Sequence, residues 1–343
     1  MKKILNTLYI NSPDRYLGLE GENVVVYCEE EVIGRVPLHN LESIITYGYT
    51  GASPALLGSC ARRNIPVCFC STSGKLLARV TGPRQGNVLL RREQYRVADN
   101  EVKCLEIARN MIIGKVFNSR WVIERTIRDH GLVVNQERLQ VISKQLQQSL
   151  GEIKSCADLE TLRGYEGEAA NRYFSVFNEM ILQQKEEFEF CGRTRRPPLD
   201  KVNALLSFTY SLLTSMCAGA LEMVGLDPYV GYLHTDRPGR QSLALDLVEE
   251  FRSVYADRFV LTIINKKMIN GDDLQQMADG AVILTDEGRR KLFTAWQDKK
   301  KQTIIHPFLD EKVEWGMLPY VQALLLSRYI RGDLDAYPPF LWK

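Results

Sequence analysis

Over the first 95 or so residues the apolar positions fall in short, often alternating runs, NTLYI, YLGLEG, NVVVYC, VIGRVP and ESIITYG, punctuated by Gly21, Gly34, Gly48 and Gly51. Such runs closed by turn residues predict β-strands, and their close succession predicts an antiparallel β domain. Within it SPALLGSCARRN predicts a helix capped by Ser53, IPVCFC a further strand, and Ser73 and Gly74 a last hairpin into KLLARV.

After Val97 the apolar period lengthens to 3.6, as in VKCLEIARNMIIGKVFNSRWVIERTIRD, so the remainder is expected to be almost wholly helical. The polar EQYRVADNE is the expected connector between the two regions. The chain therefore reads as α+β, with a small N-terminal antiparallel β domain carrying one helix over 1–95, a linker over 96–101, and a larger all-α domain over 102–343. A length of 343 residues suits two cores. GRTRRPPLDK at 192–201 is expected to be irregular, because consecutive prolines exclude helix.

Composition changes this picture little. VNALLSFTYSLLTSMCAGAL at 202–221 has no charge and the length of a membrane span, but its Asn, Ser and Thr residues favour a helix buried on all sides. The eight cysteines are scattered without a CxxC pair, which points to reduced thiols in a cytosol and away from a zinc site. The N-terminus is too short in apolar residues for a secretory signal, so a cytoplasmic protein with no membrane partner is expected. Net charge is only +2, yet basic residues cluster at Arg91, Arg92 and Arg96, at Arg193, Arg195 and Arg196, at Arg289, Arg290 and Lys291, and at Lys299, Lys300 and Lys301. Together they allow a one-sided positive face, although each cluster alone reads as solvated surface.

Two stretches carry candidate chemistry. In RGYEGEAANRYFSVF, Ala170, Tyr173 and Phe177 form an apolar stripe that extends back onto Glu166, and a carboxylate on a core-facing stripe needs a cation or metal. The competing reading places Glu166 in the first turn of its helix, where the dipole welcomes an acid. Gly164 and Gly167 flank it and leave the backbone open to a phosphate or another element. In GYLHTDRPGRQSLALDLVEEFR, Ser242 is a candidate cap for a helix whose apolar stripe is Leu243, Leu247, Phe251 and Val254. His234 precedes Asp246 by 12 residues and Glu249 by 15, the two acids sharing one face, with Glu250 in reserve. One imidazole with carboxylates suits Mn²⁺ or Mg²⁺, and Arg237 and Arg240 nearby suit phosphodiester chemistry. A loop histidine ahead of an ordinary amphipathic helix is the bland alternative. P-loop, GxGxxG, HExxH and GxSxG motifs are absent, which demotes ATP hydrolysis, dinucleotide redox chemistry and serine-type acyl transfer.

RGYEGEAANRYF, RRPPLDKVNALLSFTYSLL and LDPYVGYLHTDRPGRQSLALDLVEEFR, in this order after a small β domain, closely resemble the CRISPR-associated integrase of spacer acquisition. The resemblance spans essentially the full length, and PGRQSLALDLVEEFR is similar to the version of type I systems, with I-C the subtype expected. It implies that Glu166, His234 and Glu249 are catalytic and hold Mn²⁺ or Mg²⁺, with Asp246 the reserve ligand because many members carry aspartate where Glu249 stands. It implies a homodimer, paired through its β domain, that flanks a small second core CRISPR adaptation protein. The substrate implied is double-stranded DNA, joined to the CRISPR repeat by attack of 3′-hydroxyl ends. Candidate contacts to the DNA backbone are Arg193, Arg195, Arg196, Arg237, Arg240, Arg289, Arg290, Lys299 and Lys300. Two other readings compete: a non-catalytic DNA-binding scaffold, and a related transposon integrase outside CRISPR.

Overall fold

A computed structural model describes residues 7–10, 12, 14–48, 51–71, 76–82 and 88–343. Two compact units emerge: Met1–Gln85 with Asp272–Gln275 and Ile283–Gln302, and Gly86–Gly271 with Gln276–Val282 and Thr303–Lys343.

The first unit contains β1 (Thr7–Ile10), β2 (Arg15–Glu20), β3 (Asn23–Cys28), β4 (Glu31–Pro37), β5 (Ser43–Tyr47), β6 (Gly51–Ala52), α1 (Pro54–Arg62), β7 (Val67–Cys70) and β8 (Leu76–Val80). They form two four-stranded sheets, ordered β1-β5-β7-β8 and β4-β3-β2-β6. Ile10, Leu17, Val24, Val26, Ile44, Leu56 and Val67 meet in the core between these elements. Ser53 caps α1 as expected, its hydroxyl accepting from the Leu56 amide at 3.2 Å. The expected antiparallel arrangement is corrected: β1 pairs with β5, β5 with β7 and β2 with β6 in parallel. The path from β5 through α1 to β7 is a crossover, and a crossover returns the chain in the same direction. The turn expected at Ser73 and Gly74 lies outside the described residues.

The second unit is mostly helical, with α2 (Val88–Ala98), α3 (Glu101–His130), α4 (Gln136–Lys154), α5 (Leu159–Ser175), α6 (Lys201–Met223), α7 (Ser242–Phe251) and α8 (Arg258–Asn265). Further along the chain come β9 (Leu274–Gln276), β10 (Val282–Leu284), α9 (Asp286–Lys301), β11 (Thr303–Ile305), β12 (Lys312–Glu314) and α10 (Leu318–Ile330). The α+β class stands, with two small β ribbons, β9 with β10 and β11 with β12, in a region expected to be all helix.

Two segments fall elsewhere than the apolar period suggested. EQYRVADNE is not a connector: most of it is the end of α2, which belongs to the helical unit. Conversely, α9 belongs to the first unit, where Phe293 stacks on Tyr9 at 4.1 Å and the buried Lys300 ammonium lies 2.8 Å from Glu42.

Helix α3 is the spine of the second unit, and α4, α5 and α7 pack on it. Its Gly114 faces α7 so closely that a Cβ there would lie 3.1 Å from Glu250 Cγ. Helix α6 is long and apolar enough to cross a membrane by length and composition, but it packs on α7 and α10 as a core helix. The C-terminal residues run back to α3. Asn118, wholly buried, donates from Nδ2 to the Glu250 and Phe340 carbonyls at 2.7 and 2.8 Å and accepts from the Trp342 amide at 2.9 Å.

Candidate functional site

The three acids of α7 are all buried, and they diverge. Asp246 accepts from the backbone amides of Tyr232, Leu233 and His234 at 2.7, 3.0 and 3.0 Å, and its Oδ1 lies 2.6 Å from His234 Nδ1. A carboxylate has no hydrogen to give, so Nδ1 is the donor and Nε2 is the ring nitrogen left to face a ligand. Asp246 therefore holds the histidine loop, and no oxygen of it is turned to a second cation among the described residues. Glu250 accepts from the Tyr337 hydroxyl, the Gln322 amide at 2.9 Å and the Phe340 amide at 2.7 Å, and burial pushes its carboxyl up to about 7 despite those donors. Ser242 does not cap α7. Its hydroxyl donates to the Thr235 carbonyl at 3.2 Å, closing the same loop.

Glu249 alone of the three is paired with a lysine, Lys115 of α3. Its Oε2 lies 2.6 Å from Lys115 Nζ and its Oε1 accepts from Arg252 at 2.6 Å. The same Lys115 ammonium is hydrogen-bonded to Glu166 Oε1. Burial works against the Glu249 anion, but the charges of Arg252, Lys115 and His234 outweigh it and hold the carboxyl below its ordinary range. Glu166 lies well inside α5, which starts at Leu159, so the first-turn reading is overturned. A Cβ added at Gly164 or Gly167 would meet nothing within 4 Å, so both positions border open space.

The structure thus brings Glu166 and Glu249 onto one cation, while His234, held by Asp246, acts electrostatically on Glu249. Among the described residues, no three His, Cys, Asp or Glu side chains are already gathered closely enough to hold a metal ion. Sequence reasoning missed four partners, Arg252 among them. Lys115 is buried in a helix with no motif around it. Arg163 donates from Nε and Nη2 to the Leu233 carbonyl at 3.1 and 2.8 Å, tying the Glu166 helix to the histidine loop. Gln94 of α2 exchanges two 2.8 Å hydrogen bonds with the Asp227 backbone and so props the start of that loop. Arg163 stands in RGYEG and Arg252 ends LVEEFR, so motif membership could have flagged both.

The candidate DNA contacts separate by burial. Arg289 and Lys300 are buried and bonded inside the first unit, to Leu284 and Asp286 and to Thr7 and Glu42. Arg193 is bound to Thr194, Asn203 and Ser207 and stacks over Tyr210 at 5.2 Å. These three are corrected to internal roles, because a cation satisfied inside the protein has little to offer a phosphate. Arg195, Arg196, Arg237 and Arg290 are exposed, and Arg240 and Lys299 partly so.

Behind Glu249 the helix widens into a π turn over Arg252–Asp257, and Asp257 takes a hydrogen bond from the Tyr210 hydroxyl. Burial pushes the Asp257 carboxyl up to about 6, against that bond and the charges of Arg252 and Arg193. An unfolded aspartate titrates near ~3.9. The folded state therefore holds this proton more tightly, and its contribution to stability is lost as pH rises from about 4 to about 6. Asp257→Asn is expected to gain about 2 kcal/mol relative to the natural protein between pH 4 and pH 7, read by urea unfolding at both pH values. A difference that does not change with pH would refute the assignment.

The model of the family described as CRISPR associated protein Cas1 matches residues 8–298. The chain is 47% identical, over the whole length of both proteins, to the CRISPR-associated endonuclease Cas1 1 of Chlorobaculum tepidum. In fold it is similar to a casposase bound to integration product, with a TM-score of 0.84 at 22% identity, covering 98% of this chain and 94% of that one. It is similar also to a Cas6-RT-Cas1–Cas2 complex, with a TM-score of 0.81 at 23% identity, covering 98% of this chain and 36% of that one.

Proposed function

The chain belongs to the CRISPR associated protein Cas1 family, and from that premise we propose that it is a metal-dependent DNA endonuclease and integrase. It inserts short foreign DNA into a CRISPR array through attack of 3′-hydroxyl ends on repeat phosphodiesters. The observation that carries this reading is the convergence of Glu166 and Glu249 on a single cation, in a helical unit where Asp246, one turn before Glu249, fixes the His234 ring. The naming of the 47% identical relative as an endonuclease supports the activity. A structurally similar chain belongs to a complex named with Cas2, and the same reading gives this chain a Cas2-type partner and a homodimeric assembly.

The donor set fits Mn²⁺ or Mg²⁺. Two carboxylates already share a positive group, with Glu249 Oε2 2.6 Å from Lys115 Nζ and Glu166 Oε1 bonded to the same ammonium. Glu166, Glu249 and His234 Nε2 would hold the ion. When bound, it supplies Lewis-acid polarisation of a phosphoryl oxygen. The rest falls to the chain. Asp246 keeps the proton on Nδ1, Arg163 fixes the height of the loop, and Arg252 keeps Glu249 anionic and aimed at the seat. In the joining step a bond forms from the incoming 3′-oxygen to phosphorus while the bond to the departing strand's oxygen breaks. The proton of the attacking hydroxyl passes to solvent and the departing oxygen takes one up, so no protein nucleophile is needed.

The likeness to a casposase favours the second reading, a transposon integrase outside CRISPR, but at 22% identity it speaks for fold alone. The test is joining of a short duplex to a plasmid carrying a repeat, with the partner protein and Mn²⁺. Ends bearing 3′-hydroxyls are expected to be joined, and 3′-dideoxy ends or EDTA to abolish product. Joining that survives dideoxy ends would sink the mechanism. Asp246→Asn is expected to weaken Mn²⁺ binding by about 10- to 100-fold, the range seen when the partner of a metal-binding imidazole is altered. Calorimetric titration with Mn²⁺ measures it, and an unchanged Kd would leave Asp246 a purely structural anchor.

A further inference from the structure

We infer that Lys115 is the resident occupant of the cation seat, so that loading a divalent ion is an exchange of one cation for another. This rests on the reading that Glu166, Glu249 and His234 form the metal site. The ammonium is buried, is bonded to Glu166, and stands 2.6 Å from Glu249 Oε2. Arg252 takes the other Glu249 oxygen at 2.6 Å. Two anions and two cations therefore close the local charge account. A divalent ion added to that set would leave two positive charges unmatched in a water-poor place, which costs several kcal/mol for each ion left uncompensated. An ion that displaces Lys115 leaves the set one charge less positive than simple addition would.

The geometry offers the displaced ammonium a destination. Lys115 also lines a hollow of about 10 Å³, the size of one water, bounded by Tyr173, Arg252, Ser253 and Asp257. The Ser253 hydroxyl there is buried without a hydrogen-bond partner among the described residues, and the Asp257 carboxylate stands on the same wall. An ammonium is of similar size to water and donates three hydrogens, so this pair can receive it. Lys115 thereby does two jobs: it keeps the two carboxylates together before loading, and it sets a threshold concentration for the ion.

The test titrates Mn²⁺ into the full-length protein by calorimetry, comparing the natural chain with Lys115→Met, Lys115→Arg and His234→Ala. Lys115→Met is expected to bind Mn²⁺ about tenfold more tightly, because a seat free only a tenth of the time weakens apparent affinity by that factor. Lys115→Arg, which keeps the charge, is expected to bind no more tightly than the natural chain. A merely structural lysine would give the opposite result, since loosening the site weakens binding. Equal Kd for the natural chain and a folded Lys115→Met variant overturns the exchange. A second reading needs no variant: in a crystal of the natural protein grown with Mn²⁺, Nζ is expected to have left both carboxylates, and Nζ still bridging them beside the ion overturns the proposal. The underlying metal reading fails separately if His234→Ala binds Mn²⁺ as tightly as the natural chain.

Discussion

Alanine in place of His234 is expected to lower Mn²⁺-dependent DNA cleavage by at least about a hundredfold, because altering even the partner of a metal-binding imidazole costs about 10- to 100-fold. Folding should hardly change. The imidazole is 23% exposed, and Asp246 keeps three amide donors, from Tyr232, Leu233 and His234 itself, when the ring is removed. A stability loss of about 1 kcal/mol, one hydrogen bond's worth, is the expected limit. Nicking of a supercoiled plasmid and urea unfolding measure the two quantities on the same preparation. A folded variant that cuts at the natural rate would remove His234 from the site, and with it the reason for the Asp246 anchor.

Asn118→Ala is expected to destabilise the helical unit by about 4 kcal/mol, since it leaves two carbonyls and one amide without their buried partner at about 1 to 3 kcal/mol each. Those groups belong to Glu250, Phe340 and Trp342, so one side chain pins the C-terminal residues to both α3 and α7. The consequence should reach the site, because Glu249 is the next residue along α7 and its direction depends on where that helix sits against α3. Denaturant titration reads the stability, and activity well below the folding midpoint reads the site. A loss under about 1 kcal/mol would mean that water or a rearranged tail satisfies the three groups.

How much of the site could be read in advance differs from residue to residue. His234 with Asp246, Glu249 and Glu250 stood out as candidates by their company in GYLHTDRPGRQSLALDLVEEFR, and Glu166 by its place on an apolar stripe, while only the resemblance favoured Glu249. Asp246 was not separable from Glu249 by spacing, because i and i+3 positions on a helix differ by only about 60 degrees. What separates them is what each meets: a turn of loop amides at Asp246, an ammonium at Glu249, and a hydroxyl and two amides at Glu250. Lys115 carried no signal at all, since one lysine in a 30-residue helix looks like any other. Of the basic residues proposed for DNA, Arg193, Arg289 and Lys300 had the composition of a charged surface and the environment of a core.

By itself the sequence determined what is local: the strand runs of the β region, the Ser53 cap, the long helices, the irregular segment at its prolines and the three motifs that mark the family. Period and capping depend on neighbours within a turn or two, so they survive in one dimension. Only the tertiary structure decided that β5 pairs in parallel with β1 and β7, and β2 with β6, that α9 joins that unit through Phe293 and Lys300, and that each acid of α7 has a different occupation. Those outcomes turn on partners far away in the chain, and burial is what selects among them: a charge taken out of water must find the one group placed to meet it.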